Sequence, residues 1–151
     1  KGYEWLRKLD ANVHEYTADG TLLMQKIARR EGLVTMWDMP DVRLHKEQKN
    51  FPVGYSIPAS GTPLIIDGIA IVRGGPNPEE AKRFYEFVTT PESLTYAAQK
   101  YYRIPVRTDL DRAQLPAWMN EPFTVMPLDW DLLRKNGGDW LRYWDTEIRR
   151  H

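Results

Sequence analysis

The residue types that can do chemistry are scattered along this 151-residue chain and show no catalytic or metal-binding spacing. Its three histidines, His14, His45 and His151, lie far apart, and cysteine is absent. Thiolate nucleophiles, thiolate metal sites and disulfides are therefore excluded. The chain has no Gly-rich phosphate loop, no Gly-x-Ser-x-Gly turn and no His-Glu-x-x-His sequence. We predict that it is not an enzyme, holds no metal and needs no cofactor.

A polar turn around Gly20 is the first candidate for ligand binding. Thr17, Gly20 and Thr21 stand where a helix is predicted to begin. Free amides and hydroxyl groups at a helix start form a natural anion site. Threonine and aspartate at such positions also cap the helix without binding any ligand. Both interpretations remain open at this point.

Trp37 and Asp38 are the second candidate. They follow a predicted strand over 33–37, and ligands of open α/β sheets bind at the carboxyl ends of strands. The alternative is a strand that ends in a turn-favouring aspartate. The adjacent pair Tyr101 and Tyr102 suggests a third idea, phenolate ligands for a ferric ion, but packing and hydrogen bonding are the favoured roles for this pair.

Composition points to a globular protein with no general attraction to nucleic acid. The formal net charge is +0, from 21 basic and 21 acidic residues, and 42% of the residues are hydrophobic. No run reaches the ~18 apolar residues of a membrane span. Six Trp and eight Tyr are many for this length, and aromatic residues line both cores and ligand clefts.

The hydrophobic periodicity predicts an α/β protein. Helices are expected near the N-terminus up to Asn12, after Thr21 with Gly32 as its cap, from Pro78, from Pro91, and as two C-terminal helices split at 136–138. Strands are expected over 13–16, 33–37, 53–57 and 64–72. The last is nearly all apolar and suits a strand covered on both faces, where the charge of Asp67 would be costly. The abrupt helical start predicts a fragment of a longer protein.

Motifs in a consistent order resemble extracellular solute-binding proteins of ABC transporters, family 1. They comprise the run from Trp5 to Val13, Gly61-Thr-Pro, Asp67-Gly68, Gly75-Pro-Asn-Pro, Thr90-Pro-Glu, Tyr102-Arg-Ile-Pro and the helix from Trp140 to Trp144. The chain is most similar to the branch that binds ferric ion, phosphonates or sugar phosphates. The resemblance covers nearly the whole chain and implies the type II periplasmic-binding-protein fold.

The resemblance implies part of a two-lobed architecture, with a mixed sheet flanked by helices, crossover strands and C-terminal helices. Residues 1–52 are then the latter part of the second, ligand-binding lobe, residues 53–72 are the hinge and crossover strands, and residues 73–151 return to the first lobe. The N-terminal half would be absent. Implied partners are a small-molecule or ion ligand, a membrane permease and that missing half, with no nucleic acid. The implied location is periplasmic or extracytoplasmic.

The ferric members of this family place two consecutive tyrosines where this chain has Trp37 and Asp38. This departure favours a small anionic solute, with Thr17, Gly20 and Thr21 as donors and Trp37 stacked on it. Asp67 is expected either to face the cleft or to make a hinge hydrogen bond. Alternative functions on the same architecture are a ligand-sensing domain of a transcription regulator and an enzyme.

Overall fold

The computed structural model describes residues 1–149, in which helices dominate. The elements in chain order are α1 (Gly2–Asp10), α2 (Gly20–Ala28), α3 (Met39–Glu47), β1 (Thr62–Pro63), α4 (Pro78–Val88), α5 (Pro91–Tyr101), two 3₁₀ turns (Arg112–Gln114 and Ala117–Asn120), β2 (Val125–Met126), α6 (Trp130–Tyr143) and a π-helical turn (Trp144–Ile148). Two compact units result. The central unit is residues 36–126, and the terminal unit is residues 1–35 together with the residues from 127 on.

The sheet is a short parallel pair in the central unit. Thr62 pairs with Val125 and Pro63 with Met126. Gly61 precedes β1 with φ +100, and a Cβ placed there would lie 3.1 Å from the carbonyl oxygen of Thr124. Both the left-handed backbone and this close approach require glycine. The Gly-Thr-Pro sequence thus lets the two strands meet.

The terminal unit is built around Met24 and Ile148, each 2% exposed. Aromatic contacts join its two stretches of chain: Tyr16 meets Trp144 edge to face with ring centroids 5.5 Å apart. Asp10, a buried carboxylate, accepts a hydrogen bond of 2.9 Å from the hydroxyl of Tyr16. This core therefore combines apolar packing with one polar pair.

The central unit buries a separate apolar set and one histidine. The apolar members are Val42, Ala98, Leu110, Leu115 and Trp118. His45 is buried beside them, and its ring lies 5.2 Å from that of Phe51. The described residues contain no helix that is long and apolar enough to cross a membrane.

The predicted strands over 13–16, 33–37, 53–57 and 64–72 are wrong as elements of this chain, because the structure leaves them extended or irregular. The segment 64–72 is also not buried: Ile65 is 72% exposed and Val72 78% exposed. Strand periodicity shows which side chains alternate, but a strand forms only where a neighbouring backbone supplies hydrogen bonds. Within residues 1–149 only Thr62 and Pro63 find such a neighbour in this region.

The helices were predicted better, because their signals are local. The starts at Pro78 and Pro91 are confirmed, and the Thr90 side chain caps α5 by accepting from the Ser93 amide. Helix α3 was missed, since its polar sequence has little apolar periodicity. The expected break at 136–138 is wrong, because α6 runs through both glycines. Gly32 is not the cap of α2, which ends at Ala28 with Arg29 as its C-cap residue, followed by Arg30 with φ 63.

Candidate functional site

The start of α3 organises the predicted pair Trp37 and Asp38. Asp38 is the N-cap residue, and its carboxylate accepts from the amide of Asp41 at 3.0 Å. The indole Nε1 of Trp37 donates to Oδ2 of the same Asp41 at 3.1 Å. Trp37 remains 45% exposed. Asp38 therefore caps a helix that the sequence did not predict, while the hydrogen-bonded indole still presents part of its ring to solvent.

Asp41 has further partners within the central unit. Its Oδ1 accepts from Nη2 of Arg103 at 3.2 Å, across 62 residues of sequence. Its carbonyl oxygen lies 2.8 Å from Nδ1 of His45, whose Nε2 lies 3.3 Å from the Lys49 ammonium. Because an ammonium can only donate, Nε2 is the accepting nitrogen and Nδ1 carries the proton. The N-terminal end of α3 is thus tied to the segment that follows α5.

Arg43, one turn further along α3, forms the centre of an aromatic stack. Its guanidinium carbon lies 4.8 Å from the ring centroids of both Tyr55 and Trp118. Its Nη1 donates to Glu47 at 2.9 Å, and its Nη2 donates to the hydroxyl of Tyr55. In the described part of the chain, Nε of Arg43 and Nε1 of Trp118 are buried without a hydrogen-bond partner. Cation–π contacts and the two Nη bonds therefore hold the guanidinium.

Glu47 links this stack to the end of α5. Its second oxygen accepts from the hydroxyl of Tyr102 at 2.9 Å. Tyr102 is the C-cap residue with φ 56, and its ring meets Trp118 edge to face at 6.1 Å. Burial, followed by the bond to Glu47, raises the pKa of the Tyr102 phenol. The phenol therefore donates to Glu47 and packs against Trp118.

A cleft of about 550 Å³ lies beside this stack, within the central unit. Its walls carry both acidic and amide side chains, and they comprise Arg43, Glu47, Gln99, Gln114, Trp118 and Glu121 among others. Arg43 is already paired with Glu47, so the cleft has no spare cation. The carboxylate and amide oxygens of this cleft can accept hydrogen bonds from a ligand.

The first predicted site, Thr17, Gly20 and Thr21, lies at the start of α2 in the terminal unit. The carboxylate of Asp19 accepts from the Leu22 amide at 2.9 Å, so the third amide of the helix is occupied. The amides of Gly20 and Thr21 have no acceptor within the helix. Thr17 is half-buried and Thr21 exposed. The turn is thus a capped helix start in which two amides have no acceptor within the helix.

Asp67 and the histidines lie in different settings. Asp67 is exposed in the extended segment after β1. His14 is exposed and His45 is buried in the hydrogen-bonded pair described above, while His151 lies outside the described residues. Across residues 1–149 no group of three or more His, Cys, Asp or Glu side chains is placed to hold a metal ion.

Five residues of these contacts were not predicted from the sequence: Asp41, Arg43, Glu47, Arg103 and Trp118. A local signal for the first three was present: Asp38 and Asp41 have the spacing of an N-cap and the third helical residue, and Arg43 and Glu47 have the i, i+4 spacing of a helical ion pair. No local pattern could have linked them to Arg103 or Trp118, because those contacts join distant parts of the chain.

Comparison with known proteins gives the family. The profile of bacterial extracellular solute-binding proteins matches residues 1–123. A Haemophilus influenzae protein (strain ATCC 51907 / DSM 11121 / KW20 / Rd), described as uncharacterized, is 24% identical over 150 residues, which are 99% of this chain and 40% of that protein. A probable ABC transporter periplasmic-binding protein of Sinorhizobium fredii (strain NBRC 101917 / NGR234) is 30% identical over 93 residues, which are 60% of this chain and 26% of that protein.

No solved structure matches the chain significantly. The chain spans less than half the length of either curated relative, 40% of one and 26% of the other. The family profile, by contrast, covers most of the chain, including the predicted site residues and the Trp37–Asp41–Arg103 contacts. The resemblance inferred from the ordered motifs is therefore confirmed, and this chain belongs to the bacterial extracellular solute-binding protein family.

Proposed function

We propose that this chain is part of the solute-binding component of an ABC importer, located in the periplasm or otherwise outside the cytoplasm. The observation that carries the proposal is the family match over residues 1–123. The similarity to the Sinorhizobium relative, a probable ABC transporter periplasmic-binding protein, supports it. In this role the protein binds a solute and delivers it to a membrane permease, and it catalyses no reaction.

The proposed solute is a small organic anion such as a phosphonate or sugar phosphate. In the central unit, the exposed ring of Trp37 offers a stacking surface. Asp38 uses one carboxylate oxygen for the cap, and its other oxygen can accept from a solute hydroxyl. In the terminal unit, Thr17, Gly20 and Thr21 offer hydroxyl and amide donors. The negative charge of the capping residue Asp19 opposes the binding of an anion there. Asp67 stays a candidate on the crossover segment.

The proposal also includes the two-lobed architecture. Residues 1–52 then belong to the second lobe, residues 53–72 cross between lobes, and residues 73–151 complete the first. The exposed run 64–72 supports this, because long apolar segments of this kind are usually covered in folded proteins. The proposed cover is the remainder of the solute-binding protein, since the chain spans 40% and 26% of its relatives.

A thermal-shift screen of the full-length protein tests the binding function. The panel comprises D-glucose 6-phosphate, 2-aminoethylphosphonate, ferric ion, spermidine and thiamine. A ligand at 100 times its Kd stabilises the folded state by about 2.7 kcal/mol, so a true solute raises the melting temperature with dose. A shift with ferric ion alone would refute the anionic class, and no shift with any compound would count against the binding function.

Variants then test the site. Trp37→Ala and Thr21→Ala are expected to lower solute affinity, while Trp5→Ala, which removes another exposed indole, is the matched control. Unchanged affinity in both site variants would refute the assignment. The lobe proposal has a separate test: Ile65→Lys should change the stability of this chain by no more than about 0.5 kcal/mol, as exposed substitutions do, and destabilise the full-length protein several times more.

A further inference from the structure

We infer that Asp41 and Arg103 are positioning residues for the indole of Trp37. This inference rests on the proposed function, in which Trp37 contacts the solute. Asp41 Oδ2 accepts from the indole at 3.1 Å, and its Oδ1 accepts from Arg103 at 3.2 Å. One carboxylate therefore holds the aromatic side chain with one oxygen and is itself held by a guanidinium with the other.

The geometry favours positioning over a purely structural bond. An exposed tryptophan samples several rotamers unless a polar partner holds its N–H group. Here the ring is 45% exposed, yet its one donor is bound to a carboxylate. A ring fixed before binding loses less freedom when a solute stacks on it, so pre-organisation raises affinity. The Asp41 carboxylate can thus act on the solute without touching it.

The local structure keeps this role separate from helix formation. The Asp38 cap uses the backbone amide of Asp41, and His45 uses its backbone carbonyl. Both bonds survive when the Asp41 side chain is changed. Arg103 follows the left-handed Tyr102 at the end of α5, so the anchor comes from a different element. Substituting Asp41 therefore releases the indole and leaves the backbone contacts of α3 in place.

The first experiment needs no ligand and observes the indole N–H groups of the ¹⁵N-labelled chain by NMR. The chain has six tryptophans, and Trp37→Phe identifies the resonance of Trp37. Asp41→Ala should shift this resonance upfield and speed its exchange with water, and Asp41→Asn, which keeps an oxygen acceptor, should restore part of the shift. Asp109→Asn is the matched control, because it breaks the Arg107–Asp109 pair of the same unit. An unmoved Trp37 resonance in Asp41→Ala would overturn the inference.

The second experiment is a double-substitution cycle on affinity in the full-length protein, with D-glucose 6-phosphate and 2-aminoethylphosphonate as probes. Asp41→Ala should weaken binding about tenfold, the size typical of one lost charge-assisted hydrogen bond. Arg103→Gln should weaken it about two- to threefold, as for a partly exposed ion pair. If Asp41 acts through Trp37, Asp41→Ala adds nothing in the Trp37→Phe background.

The outcomes separate the two proposals. Additive losses in the cycle, or full affinity in Asp41→Ala beside a loss in Trp37→Phe, would overturn the positioning role and leave the proposed function standing. Full affinity in Trp37→Phe, which keeps an aromatic face but has no N–H group, would also overturn the positioning role. Full affinity in Trp37→Ala would refute the contact between Trp37 and solute, and the positioning role with it. Binding of neither probe would refute the proposed solute class and the present inference together.

Discussion

Replacing Tyr16 by phenylalanine removes one hydrogen bond from the terminal unit and leaves its aromatic packing in place. The hydroxyl of Tyr16 donates to Asp10 at 2.9 Å, and Asp10 is only 5% exposed. The ring contact with Trp144 at 5.5 Å does not need the hydroxyl group. Tyr16→Phe is therefore a selective test of whether a buried carboxylate depends on this one donor.

The expected loss follows from the charge of the acceptor. Hydrogen bonds to charged groups stabilise proteins by about 1.5–3 kcal/mol, and the buried carboxylate of Asp10 would lose the bond from Tyr16. We expect the free energy of unfolding to fall by about 2 kcal/mol, measured by urea unfolding followed by circular dichroism. For a chain of this size the melting temperature should fall by about 4–8 °C.

Two controls isolate the hydrogen bond. Asp10→Asn removes the buried charge but keeps an oxygen that accepts from Tyr16, so its cost should be at most about 1 kcal/mol. Tyr96→Phe removes a hydroxyl from an exposed tyrosine and should change stability by no more than about 0.5 kcal/mol. A loss below about 0.5 kcal/mol in Tyr16→Phe would refute the dependence of Asp10 on Tyr16.

The same pair gives the protein an alkaline limit of stability. Burial, followed by the bond to Asp10 and its charge, raises the pKa of Tyr16 from 10.0 to about 12. Between these values the unfolded chain loses the phenolic proton and the folded chain keeps it, so stability is full below pH 10 and falls as pH rises toward 12. This fall should be smaller in Tyr16→Phe. If stability fell equally between pH 10 and 12 in Tyr16→Phe, the fall could not be assigned to the Tyr16 phenol.

Two further substitutions test the packing and capping on which the fold rests. Thr90→Ala removes the side chain that caps α5 at the Ser93 amide, at a cost of about 1 kcal/mol in urea unfolding, whereas Thr90→Ser should be nearly neutral. Equal stability of the two variants would argue against the cap. Ile148→Ala leaves a cavity at a side chain that is only 2% exposed, so the free energy of unfolding should fall by about 2–5 kcal/mol. Ile148→Val removes a single methylene group and should lower it by about 0.5–1.5 kcal/mol. A loss below about 1 kcal/mol in Ile148→Ala would show that Ile148 does not support the terminal core.

Local signals in the sequence predicted several helices and their starts. Thr90-Pro91 supplies a side-chain cap and a first-turn proline within two residues, so α5 could be predicted without any tertiary contact. Helix α3 was not predicted, because it has few apolar positions. Its start is marked by the capping bond between the Asp38 carboxylate and the Asp41 amide. The order of motifs from Trp5 to Trp144 was also sufficient to indicate the family, which the profile match confirmed.

The candidate site was predicted only as far as single residues. Trp37 and Asp38 were selected for their place after a predicted strand, yet no such strand forms in this chain. Their actual setting is the start of α3, where both bind Asp41. The stack around Arg43 was not predicted, because Tyr55 precedes α4 in the sequence and Trp118 follows α5. Only the tertiary structure brings these two rings to the same guanidinium.

The sequence by itself determined the caps and the local helical periodicity, because these depend on residues within one or two turns of each other. The order of its motifs along the chain also indicated the family. Only the tertiary structure decided which extended segments pair and which remain exposed. The requirement for glycine at Gly61 arises from the approach of Thr124, and the hold on Trp37 passes through Asp41 to Arg103. Such contacts join residues about 60 positions apart, and their existence depends on how the chain closes those loops.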